Sequence, residues 1–155
     1  MKKSKFSIAK KDPEMMELVR ITNQKTLAQW AIDCAKRVLP YFEDKYPKDN
    51  RPRQALETLK EWIKTGIFKM SVIRKASLDS HAAARDCVED SPAKSAARAC
   101  GQAVATAHVS RHAYGSAIYA QQAIFRASNL NDTEKAASKE RDWQYKRLVM
   151  LREKL

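Results

Sequence analysis

Turn-forming residues and long apolar runs are scarce in this chain. Only three glycines and five prolines occur among its 155 residues, and a β-rich protein needs such residues at short intervals. No apolar run approaches the roughly 18 residues that cross a bilayer. The basic N-terminal segment, residues 1–12, is not followed by the apolar stretch of a signal peptide. We therefore expect a cytoplasmic protein that contacts no membrane.

Cysteine pairs and catalytic motifs are also missing. The three cysteines are odd in number and form no CxxC pair, which favours buried free thiols in a reducing compartment over a zinc ribbon or a redox motif. The chain has no Gly-x-Ser-x-Gly elbow and no glycine-rich phosphate loop. The sequence therefore predicts neither an enzyme nor a bound cofactor.

Acidic residues are absent between Ser91 and Asn131, and all three histidines lie in or just before that span. Fifteen alanines fall between Ala82 and Ala127. Because small side chains let helix axes approach closely, we expect an alanine-rich pair of helices at the centre of the fold. The net charge is +12, but the excess is spread along the chain, which disfavours specific nucleic-acid binding.

Helical periodicity dominates the rest of the sequence. Apolar residues recur every three or four positions from Leu27 to Phe42, as on the buried stripe of a helix. The sequence predicts one all-α domain over residues 1–155, a bundle of six to eight helices with the second, fifth and sixth at its centre. A charged C-terminal helix is expected over 132–152, opened by a capping box at Asn131–Glu134. Pro40 is expected to kink or end the second helix.

Whether the fifth and sixth helices are continuous stays open, and this bears on the histidines. On an unbroken helix His108 and His112 share a face and could chelate a metal ion. The preferred interpretation is that they are core or groove histidines bonded to backbone or hydroxyl groups. No acid or cysteine lies in register with them, so we expect no bound metal.

A second set of polar residues sits on predicted buried faces. His81 and Arg85 share one face of the fourth predicted helix. Asp33 lies on the apolar stripe of the second helix, four residues before Arg37, with which it could form a surface ion pair. Since a buried charge needs a partner, we expect Asp33 to compensate a cluster of His81, Arg85 and His108. That cluster could bind a ligand or fix the core.

Several short pieces of the sequence together resemble one known family. They are Trp30-Ala-Ile-Asp-Cys-Ala-Lys-Arg-Val-Leu-Pro40, Tyr41-Phe-Glu, Asp49-Asn-Arg-Pro-Arg-Gln-Ala55, Trp62, His81-Ala-Ala-Ala-Arg-Asp86, Ala99-Cys-Gly-Gln-Ala-Val-Ala-Thr-Ala-His108 and His112-Ala. In order and spacing the chain resembles the immunity-protein-five-like family of bacterial polymorphic-toxin systems. The resemblance covers about residues 27–127.

The resemblance implies an all-helical bacterial protein that neutralises a cognate toxin by binding it, with no enzymatic activity. A chain of net charge +12 repels a basic protein, so an acidic or neutral toxin is expected. Homo-oligomerisation stays open. The alternative is a helical protein that binds a small molecule, a metal or a nucleic acid. The polar residues that the resemblance offers as one shared site are Asp33, Arg51, Arg53, His81, Arg85, His108 and His112.

Overall fold

The structure is a computed structural model that describes Phe6 and residues 11–155. The predicted basic N-terminal segment, residues 1–12, therefore lies outside the described residues except for Phe6, Lys11 and Asp12. Within the described part there are seven α-helices and no strand. The helices are α1 (Pro13–Arg20), α2 (Gln24–Glu43), α3 (Arg51–Thr65), α4 (Met70–Asp86), α5 (Pro92–Ala105), α6 (His112–Ala127) and α7 (Thr133–Glu153). The predicted all-α fold is confirmed.

Side-chain caps explain where several helices begin and end. Asp12, Asn23 and Ser91 each accept a hydrogen bond from a backbone N–H in the first turn of α1, α2 and α5, which satisfies a donor that has no partner within the helix. Gly66 ends α3 with a φ of 70°, in the left-handed region where a side chain would be strained. Local sequence therefore sets these boundaries.

One of the two outcomes expected at Pro40, and the capping box expected at Asn131–Glu134, differ from the structure. Pro40 does not end α2, which continues to Glu43; both Pro40 and Lys36 are exposed, so water can serve the carbonyl that loses its donor. The capping box at Asn131–Glu134 does not form, because α7 begins after Asp132 without a side-chain cap.

The fifth and sixth predicted helices are separate. Successive hydrogen bonds from the N–H groups of residues 106–108 to carbonyls three residues earlier tighten the end of α5 into a turn. Gln24 of α2 donates its side-chain amide to the carbonyls of Thr106 and Ala107, at 2.9 and 3.1 Å. The connection is thus tied to α2, and His108 and His112 do not share one helix.

Helix α5 forms the centre of the bundle and contacts α2, α3, α4 and α6. All of its alanines except Ala105 are buried, and serines of the neighbouring helices donate to its carbonyls. Ser80 donates to Ala97, Ser77 to Gly101, and Ser116 of α6 to Ala99, at 2.8–2.9 Å. Such bonds require closely approaching backbones, and the prediction that small residues mark the centre is confirmed.

Polar groups fasten α7, the charged last helix, to the core. Glu140 is only 4% exposed and accepts two hydrogen bonds from Arg37 of α2. The buried Gln144 donates to the carbonyl of Ala117 and accepts from Gln121, while its own carbonyl accepts from the Trp30 indole. The apolar residues of α7 in the sequence were not sufficient to predict this attachment.

Two further features follow from the packing. All three cysteines are free and buried, as the sequence predicts. Among the described residues, no helix combines the length and the apolar character that crossing a membrane requires.

The tight contacts of α5 predict the effect of enlarging a central alanine. Ala103 is fully buried, so Ala103→Leu should lower the free energy of unfolding by about 1–3 kcal/mol through overpacking. The control is Ala127→Leu, at an exposed position that ends α6. Urea denaturation of both variants measures the difference. Equal midpoints for the two would contradict the central placement of α5.

Candidate functional site

All three histidines lie on one side of the bundle. His81 belongs to α4, His108 to the α5–α6 connection, and His112 opens α6. His112 is close enough to perturb the pKa of His81, and His108 that of His112. We call this surface the histidine face and define it by the three histidines together with Arg85, Arg98 and Arg111.

His81 is fixed between a glycine and an arginine. Its ring lies on the backbone of Gly101, where a Cβ atom would stand only 2.7 Å from Nε2. Nη1 of Arg98 is 2.9 Å from Nδ1 of His81. A guanidinium can only donate hydrogen bonds, so Nδ1 accepts and the ring proton resides on Nε2. Gly101 therefore permits the approach, and Arg98 sets the tautomer.

His112 is held in a similar way by Gln102 of α5. The Nδ1 atom of His112 is 2.8 Å from Oε1 of Gln102. The amide oxygen accepts, so Nδ1 carries the proton and Nε2 of the neutral ring keeps its lone pair. Gly115 makes room for the amide, since a Cβ there would lie 2.8 Å from Oε1. Both histidines are thus oriented by α5.

Burial and positive neighbours keep these two rings neutral. Burial, followed by the charges of Arg98 and Arg85 and by the proximity of His112, lowers the pKa of His81 to about 4. Burial is also the main reason why the pKa of His112 is lowered, with contributions from Arg111 and His108. The guanidinium groups that act on the two rings, those of Arg85, Arg98 and Arg111, are all cationic.

Three carboxylates of neighbouring segments are engaged elsewhere, and a fourth, Glu89, lies near Tyr46. Asp79 forms an ion pair with Lys75, and Asp86 pairs with Arg51. Asp90 lies 3.5 Å from the Lys94 ammonium and 3.9 Å from the Arg126 guanidinium. In the part of the chain that the structure describes, the histidine face is thus a cationic surface without a carboxylate of its own.

Asp33 belongs to a different network, which corrects the expectation that it compensates the histidines. Its two carboxylate oxygens accept hydrogen bonds from Gln29 and from Arg147 of α7, at 2.9 and 2.8 Å. The expected pair with Arg37 is also absent, because Arg37 binds Glu140. Asp33 is largely buried and helps to fasten α7 to α2.

Arg51 and Arg53 also lie apart from the histidines. Arg51 bridges Asp49 and Asp86, both at 2.7 Å. Arg53 binds Glu43 through two hydrogen bonds of 2.6 Å. These arginines stabilise the α2–α3 connection and its contact with α4. The seven polar residues therefore do not form one site. Four of them lie on the histidine face, namely His81, Arg85, His108 and His112.

Arg98, Gln102 and Arg111 complete this face, and the sequence analysis did not single them out. A signal was present, since Arg98 and Gln102 are four residues apart on α5, inside the span without acids. That spacing places two polar side chains on one face of an otherwise apolar helix. No group of three His, Cys, Asp or Glu side chains among the described residues is arranged to hold a metal ion.

A comparison with protein-family models gives the relationship of the chain. Residues 17–151 match the family described as "Imm-5 like putative immunity protein". The chain belongs to this family. The immunity-family match extends beyond the predicted residues 27–127 and includes nearly all of α7. Neither the curated proteins nor the solved structures contain a match to this chain.

The depressed pKa of His81 makes stability depend on pH. Folding lowers the pKa of this imidazole from about 6.5 to about 4, so the unfolded state takes up the proton first as the pH falls. The contribution of neutral His81 to folding is therefore present above about pH 6.5 and lost progressively towards pH 4. Urea denaturation across this range should show a smaller loss of stability for His81→Asn than for the wild type. Parallel profiles would contradict the assignment.

The pairing of Asp33 with Arg147 predicts a structural role. Asp33→Asn should lower the free energy of unfolding by about 1–3 kcal/mol, because a charge-assisted hydrogen bond to a largely buried acceptor is weakened. Asp79→Asn is the control, since its pair with Lys75 is largely exposed and should contribute less than about 1 kcal/mol. Denaturation midpoints of both variants test this, and similar losses would argue against the role.

Proposed function

We propose that this protein neutralises a cognate bacterial toxin by forming a stoichiometric complex with it in the cytoplasm. The observation that carries the proposal is the family match over residues 17–151, which includes the whole histidine face. The chain's net charge of +12 favours an acidic or neutral toxin, because charges of like sign slow association and weaken the complex.

The geometry of the histidine face supports binding better than catalysis. The hydrogen-bond partners of His81 and His112 are Arg98 and Gln102, neither of which is a nucleophile that an imidazole base would activate. Hydrogen bonds hold His81 to Arg98 and His112 to Gln102 of α5, so these groups are placed before a partner arrives and lose little entropy on binding.

Apolar groups beside the histidine face suit a protein partner. Phe68 is exposed in the α3–α4 connection, and its ring stacks on His108 with centroids 6.2 Å apart. Ile67 next to it is 64% exposed. A surface with cationic and apolar groups side by side can bind both the polar rim and the apolar centre of a protein interface.

The experiment is capture followed by a protection assay. We expect the tagged protein, expressed in its native cell, to copurify with one protein in stoichiometric amount. That protein should arrest growth when expressed alone, and coexpression of the present chain should restore growth. A toxin of unrelated sequence is the control and should not be neutralised.

Two results would contradict the proposal. A captured protein that arrests growth equally with and without this chain would exclude neutralisation. A copurifying metal, small molecule or nucleic acid in place of a protein would favour the alternative of a helical ligand-binding protein.

A further inference from the structure

We infer that the histidine face is a carboxylate-binding surface, on which an acidic segment of the partner toxin docks. The inference rests on the proposed function and adds the chemistry of the partner. Arg85, Arg98 and Arg111 supply the charge, and the α4–α5 contact supplies the geometry. An arginine fork binds a carboxylate through two parallel hydrogen bonds.

Arg98 is the best-placed donor. The contact of Nη1 with His81 restrains the guanidinium, and His81 is itself fixed on Gly101. Apart from this contact, the N–H groups of Arg98 have no acceptor within the described residues. Arg98 is half-buried, one of its N–H groups is fixed on His81 and the others are available. Its guanidinium is therefore preorganised to bind a carboxylate.

The other two arginines extend the site towards solvent. Arg85 and Arg111 are exposed, and neither forms an ion pair within the described part of the chain. Both lie close enough to influence a histidine of the face, Arg85 acting on His81 and Arg111 on His112. Because neither guanidinium has an acidic partner among the described residues, each remains available to a bound carboxylate.

The chain itself does not supply this carboxylate. Of the four acids closest in sequence to the face, Asp79, Asp86 and Asp90 pair with other cations. The fourth, Glu89, forms no ion pair with a described residue and lies near Tyr46. Freeing one of the three aspartates would break its ion pair, so a carboxylate from another molecule is favoured at the histidine face.

The surroundings favour an acidic protein segment over a nucleic acid. A nucleic-acid site requires cations that continue along the path of the backbone. Beyond the face, arginines such as Arg51, Arg53 and Arg141 are engaged with acids. The exposed Phe68 and Ile67 add an apolar margin that suits side chains next to the carboxylate.

A binding experiment on the full chain tests the inference without the toxin. The probe is capped hexaglutamate at low ionic strength, followed through the imidazole resonances of His81 and His112. We expect both to shift on titration. Arg98→Gln should weaken binding about tenfold, as the loss of a charge-assisted hydrogen bond requires. Arg85→Gln removes an exposed guanidinium, so it should weaken binding without altering the thermal unfolding transition.

Lys139→Gln is the matched control. It makes the same change in net charge at an exposed position of α7, a helix that packs on α2 and α6 whereas α4 packs on α3 and α5. Binding by this variant should stay within about twofold of the wild type, because distant surface charges are screened. Equal weakening by Lys139→Gln and Arg98→Gln would overturn the inference, since only net charge would then matter.

Further outcomes separate the inference from the proposed function. Absence of histidine shifts with hexaglutamate would overturn the inference, as would tighter binding of oligothymidylate with the same dependence on Arg98. Growth protection by the wild type, Arg85→Gln and Arg98→Gln alike would leave the proposed function standing and reject this surface. Shifts with hexaglutamate together with failed protection would reject the proposed function and retain the anion site.

Discussion

The close approach of four helices to α5 is the constraint on which the rest of the structure depends. A helix contacted by α2, α3, α4 and α6 can carry only small side chains on most of its surface. Backbones this close bring carbonyls within reach of serine hydroxyls, as between Ser80 and Ala97. They also leave space for a ring over Gly101. The central packing and the position of His81 therefore have the same cause.

Polar groups determine how the outer helix α7 attaches to this centre. Buried Glu140 and Gln144 are stable there only because Arg37, Gln121 and backbone carbonyls satisfy them. A buried carboxylate such as that of Glu140 strongly disfavours arrangements that separate it from its cationic partner. The register of α7 against α2 is thus specified by charge, with apolar burial contributing through residues such as Leu148.

The sequence predicted the helices and the central pair because both depend on local patterns, namely apolar periodicity and clustered alanines. Side-chain pairing was harder to predict. Arg37 has an acid one turn earlier, yet it binds Glu140 of α7, and Asp33 binds Arg147. The spacing of residues along one helix does not indicate which other helix, far away in sequence, packs against it. For the same reason Arg98 was missed, although its neighbour His81 was recognised.

Two explanations are needed for the absence of acids between Ser91 and Asn131. Burial of α5 and α6 excludes charge of either sign, whereas this span keeps four cations, Lys94, Arg98, Arg111 and Arg126. Apolar packing does not explain such a bias, because it disfavours charge of either sign. Lys94 and Arg126 lie near Asp90, just before the span. Arg98 and Arg111 belong to the histidine face, so the unexplained part of the bias is concentrated on the surface proposed to receive a carboxylate.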